Sequence, residues 1–85
     1  MAVRAIARVR DFDYGGEGLL LFLDIESDTG SEVFNLPYGP VNGDISHVTL
    51  ALEIRSFVRQ YAITNWGYTF GLTDSVRILN NIDPL

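Results

Sequence analysis

The chain reads as an α+β domain: a small antiparallel sheet of four to five strands, in the order β-β-β-α-β, with one long helix packed across a face. Two observations predict it. In residues 3–12 and 19–27 one parity is wholly apolar through residue 9 and residue 25, and the charged side chains up to there fall on the other parity, the period of a half-buried strand. Residues 44–64 place Leu50, Ala51, Ile54, Phe57, Val58, Tyr61 and Ala62 within one arc at about 100° per residue, with Thr49, Glu53, Ser56 and Gln60 opposite.

In the first strand, Val3, Ala5, Ala7 and Val9 face one way, and Arg4, Ile6, Arg8, Arg10 and Phe12 the other. Tyr14-Gly15-Gly16-Glu17-Gly18 follows as a flexible loop; it lacks the lysine and hydroxyl of a phosphate loop and precedes a strand rather than a helix. In the second strand, Leu19, Leu21, Leu23 and Ile25 oppose Leu20, Phe22, Asp24 and Glu26, with Asp28 beyond. Pairing the two as an antiparallel hairpin joins the apolar faces and sets Arg4, Arg8 and Arg10 across from some of Asp24, Glu26 and Asp28. Such an ion ladder contributes roughly 0.2–1 kcal/mol per pair.

Residues 27–31 form a turn with Gly30 where positive φ is needed, and Glu32 to Leu36 make a third short strand. Residues 37–43, with two prolines and two glycines, read as a loop that delivers the chain to the helix. Asp44 or Ser46 is suited to cap the helix, and Asn65-Trp66-Gly67 to end it; a rod of this length spans roughly 30 Å, enough to cross a small sheet. Trp66, Tyr68, Phe70 and Leu72 alternate with small residues, which in a strand would gather them on one face. Val76 to Leu79 is a last strand or helical turn.

Eighty-five residues allow a single domain over residues 1–85, whose core buries only part of the unfolded surface. A hydrophobic content of 47% against 20% charged residues is that of a folding chain. Lacking cysteine, it has no disulfide or thiolate metal site, and a single histidine, His47 on the apolar arc, does not make a zinc site; no cofactor is expected. The longest apolar run, Leu19 to Leu23, is five residues, so a membrane span is not expected. A net charge of −5 disfavours nonspecific binding to nucleic acid. The start has scattered arginines and no signal-peptide core, so a cytoplasmic or virion location is expected.

Asp28-Thr29-Gly30-Ser31 resembles the active-site loop of the aspartic proteases, in which two such loops bring paired carboxylates together to activate water. The resemblance implies a homodimeric hydrolase built on Asp28. It covers four residues, and the surroundings depart from the family: Ser27 stands where an apolar residue precedes the Asp, and the glycine-rich flap and the bracing apolar-apolar-glycine segment are missing.

Val48, Leu52 and Ile63 form a second helix strip outside the main arc, and Arg55 and Arg59 lie beside them at a spacing where like charges repel. A covering loop or a protein partner would each account for that strip. Trp66 and Phe70 are core or contact, since aromatics and arginine dominate interface energies. The chain's general look, short, acidic, cysteine-free and sheet-rich, is similar to small accessory virion proteins of tailed bacteriophages, although no motif carries that resemblance. The expectation is a non-enzymatic structural or assembly module, binding itself or a larger protein through Val48, Leu52, Arg55, Arg59, Ile63, Trp66 and Phe70. The alternatives are the Asp28 hydrolase and a small-ligand-binding or regulatory subunit with an aromatic pocket.

Overall fold

The computed structural model describes residues 2–79. Strands β1 (Ala2–Gly15), β2 (Gly18–Ser27) and β3 (Glu32–Val41) precede helix α1 (His47–Trp66) and strand β4 (Asp74–Leu79). The four strands form one sheet in the order β3-β2-β1-β4, with α1 on one face. The expected class and element order are found. The sheet is mixed rather than wholly antiparallel, because β4 pairs with β1 in parallel. Chain direction explains this: β3 lies two antiparallel steps from β1 and so runs with it, and the long helix returns the chain across the sheet so that β4 starts in that same direction.

The hairpin of β1 and β2 is antiparallel as expected, but the segment expected to be a flexible loop is a two-residue turn: Gly15 and Gly18 are paired, leaving only Gly16 and Glu17 between strands. Leu19, Leu21, Leu23 and Ile25 are all buried on the face that carries Ala5, Ala7 and Val9. Against them α1 sets Leu50, Ile54, Val58 and Ala62, one row at i, i+4 spacing, with Val76 of β4 completing the cluster. Small side chains at 5 and 7 suit the close passage of the helix over β1 and β4.

Parity along β1 does not hold to its end. A register shift between Val9 and Asp11 inserts Arg10 as an extra residue, so Phe12 pairs with Leu21 and packs against the core instead of lying with the arginines. The same bulge changes the ion ladder. Arg8 lies opposite Asp24 in the register, but the Asp24 carboxylate takes Arg10 at 3.1 Å, while Arg4 takes Asp28 at 2.8 Å.

The loop expected over residues 37–43 is the largest correction. β3 continues through Pro37 and Pro40 to Val41, with register shifts at two places and Gly39 at φ 117°. Prolines fit because β3 is an edge strand, where a missing N–H on the outer side breaks no ladder bond. Tyr38 then packs against Phe57 of the helix, with ring centroids 4.8 Å apart and the rings tilted by 56°.

Ser46 caps α1, its hydroxyl accepting the Thr49 N–H at 3.1 Å. Asp44 is not helical: its N–H bonds the Asn42 side chain, and the Ile45 N–H bonds the Asn42 carbonyl, a turn that feeds the cap. Gly67, left-handed at φ 69°, ends the helix, and the Tyr68 N–H reaches the Ala62 carbonyl at 3.2 Å. Trp66 is therefore the last helical residue and Tyr68 to Leu72 is not a strand, contrary to the alternation. Leu72 sits in a turn, fully exposed.

Candidate interaction surface

The second helix strip is open. Val48 is 72% exposed, Leu52 57% and Ile63 39%, and Arg55 and Arg59 are exposed between them. No loop covers these side chains among the described residues. Neither Arg55 nor Arg59 makes an ion pair with a described residue.

Trp66 and Phe70 are half-buried and pack against the margin of the core. They belong to an aromatic file: Tyr61 to Trp66 at 5.7 Å, Trp66 to Tyr68 at 5.6 Å and Tyr68 to Phe70 at 6.4 Å between centroids. Two guanidinium groups lie over it. Arg4 is 4.3 Å from the Tyr68 centroid, and Arg59 is 5.3 Å from that of Phe70. Phe70 therefore joins the file to the helix strip through Arg59.

Asp28 meets the file at Tyr68. Its carboxylate accepts the Tyr68 hydroxyl at 2.8 Å on one oxygen and Arg4 Nε at 2.8 Å on the other. Because Tyr68 spends its proton on Asp28, the Thr29 hydroxyl, 2.7 Å away, must donate to Tyr68, and the Ser27 hydroxyl in turn donates to Thr29 at 3.1 Å. Ser27, nearly fully buried, also accepts the Ser31 N–H at 2.8 Å and closes the turn. Ser27 therefore organises the turn as a hydroxyl, at the position where the protease family has an apolar residue. A shared-proton carboxylate dyad raises one carboxyl above its ordinary value. Here the Tyr68 hydrogen bond, reinforced by Arg4, holds the Asp28 carboxyl below its ordinary value.

With the folded value depressed, Asp28 contributes stability that is present above the ordinary carboxyl value and is lost as pH falls through the lower folded one. The carboxyl carbon of Asp28, followed by NMR, should titrate below the ordinary carboxyl value, and Tyr68→Phe should move it back up. Titration at or above the ordinary carboxyl value in the wild type would remove the basis for this clamp and favour a proton-sharing role.

A groove of about 550 Å³ lies between α1 and β4, within the size range of ligand sites, about 300–1,000 Å³. Arg55, Ser56 and Arg59 form its helix side, Asp74 to Arg77 its strand side, and Val3 and Phe70 also line it. Three arginines against Asp74 leave an excess of two positive charges on the lining of a chain whose net charge is −5. Asp74 is already engaged, accepting the Gly71 N–H at 2.9 Å and lying 3.5 Å from Arg4. Arg77 and Ser75 were not singled out from the sequence. The signal, an exposed arginine on the last strand, acquires meaning only once β4 is known to be the edge beside α1.

His47 begins the helix and is exposed, not part of the apolar arc that faces the core. No cluster of potential metal ligands occurs among the described residues, and no described helix is long and apolar enough to cross a membrane. A scan against protein-family models and searches of curated proteins and of solved structures find no match to this chain.

Proposed function

We propose that this domain is a non-enzymatic assembly module that uses the outer face of α1 as contact surface, in a larger protein assembly such as a phage virion. The observation that carries this reading is the open strip itself: three apolar side chains exposed in sequence along one helix, interleaved with two arginines lacking a described ionic partner. Apolar surface gathered in this way is what protein contacts use, and arginine beside it suits a desolvated margin facing carboxylates. Asp28 favours this reading over hydrolysis, since both its oxygens are occupied by groups that keep it ionised. The open groove beside Phe70 is walled by arginine and strand residues more than by aromatics, so a closed aromatic ligand pocket gains no support from it.

Leu52→Asp tests the proposal. Leu52 is more than half exposed, so the substituted chain should keep its circular dichroism and melting behaviour. Sedimentation should show that the wild type self-associates, or binds proteins encoded beside it, and that the variant does so at least tenfold more weakly. A wild type that stays a stable monomer and binds none of those neighbours would end the assembly reading.

A further inference from the structure

The two edges of the sheet are built differently. β3 carries Pro37 and Pro40, two register shifts and two residues at positive φ, Asn35 and Gly39. These are devices that keep an edge from recruiting another strand. β4, the opposite edge, is Asp-Ser-Val-Arg-Ile-Leu, with no proline and no glycine, and no strand lies beyond it among the described residues. The groove lies between this strand and α1, with Val3 of the neighbouring β1 also in its lining. A strand lines a space beside one of its faces with alternate residues, whereas here four in succession, Asp74 to Arg77, line it.

We propose that an acidic, extended segment of a partner protein adds as a strand along the free edge of β4, with its carboxylates taken by Arg55, Arg59 and Arg77. The proposal rests on the reading of this chain as a protein-binding module and names the chemistry of what it binds. Main-chain hydrogen bonds to an exposed edge supply affinity, and side-chain contacts at alternate positions supply specificity. The charge of the groove selects the occupant. A second copy paired edge to edge would bring two sets of three arginines together, and the Asp74 of each copy already serves Gly71 and Arg4. An acidic segment meets no such repulsion, and arginine holds carboxylates in two-pronged geometry.

The test uses the whole chain and three fluorescent hexapeptides: alternating Glu and Val, alternating Lys and Val, and the Glu-Val peptide with alternate amides N-methylated. The Glu-Val peptide should bind by anisotropy and slow hydrogen exchange at β4 amides, and the Lys-Val peptide should not. N-methylation, which removes strand donors and leaves the charges, should weaken binding at least tenfold. So should Arg55→Glu with Arg59→Glu, or Arg77→Glu alone, each confirmed folded by circular dichroism. Equal binding of the N-methylated peptide, or displacement by inorganic phosphate or oligothymidylate at equal concentration, would overturn strand addition in favour of a simple anion site. So would a peptide-free dimer that protects β4 by itself. If the Glu-Val peptide fails while the wild type still assembles through Leu52, only this proposal falls; if it binds while Leu52→Asp changes nothing, the helix-strip reading falls and this one stands.

Discussion

Ile54→Ala is expected to destabilise the domain by about 2–5 kcal/mol, the usual cost of emptying a fully buried aliphatic site. Ile54 is inaccessible to solvent and sits in the middle of the row Leu50, Ile54, Val58 and Ala62, with packed residues before and after it on the helix and the buried leucines of β2 in the same cluster. A domain of 85 residues has a total stability of roughly 4–13 kcal/mol, so the loss is a large share of the whole. Urea denaturation of Ile54→Ala and Leu52→Ala side by side measures it, because the two residues share one helix and differ mainly in burial. Leu52→Ala should fall within about 0.5 kcal/mol of wild type. Equal losses for the two would mean that the helix does not present the described face to the sheet.

That contrast between neighbouring helix positions was legible in the sequence, since a helix repeats often enough over 20 residues for its faces to separate. The hairpin was legible because the polar residues of β2, Asp24 and Glu26, share one parity and so assign Leu19, Leu21, Leu23 and Ile25 to the inner face, which the structure buries. Errors came where one residue changes the count or where topology sets the meaning of a local signal. Arg10 is a single insertion with no mark in the sequence, yet it moves Phe12 to the other face. Trp66 to Leu72 imitates a strand because Gly67, a helix stop, falls at an alternating position. Pro37 and Pro40 argue against a central strand but are acceptable at an edge, and only the sheet order tells which applies. Of the site, the strip on α1 was readable from one element. The Asp28 clamp joins residues 40 apart in sequence, and the groove needs α1 and β4 together, so neither had a local signature.

Gly39→Val is expected to be at least as damaging as the loss of a core side chain, about 3 kcal/mol or more, although Gly39 lies on an edge strand. Two effects add. At φ 117° an L-residue is strained by about 1–3 kcal/mol, and a β-branched one sits at the unfavourable end. A Cβ there would also stand 2.8 Å from the Leu19 carbonyl oxygen, which cannot yield without parting β3 from β2, and 3.0 Å from the Val41 nitrogen of β3 itself. Gly16→Ala is the control: nothing lies within 4 Å of its Cβ, so the change should be close to neutral or slightly stabilising. In Gly39→Val, hydrogen exchange should speed first at the Leu19 to Leu21 end of β2, where Val41 and Tyr38 pair, and the newly unpaired edge should make the variant prone to aggregate. The groove beside β4 lies at the opposite edge, so whatever fraction of the variant stays folded should bind the Glu-Val peptide as the wild type does. Wild-type stability in Gly39→Val would show that β3 does not approach β2 at this point, and the contrast between a closed edge and an open one would then lose its structural basis.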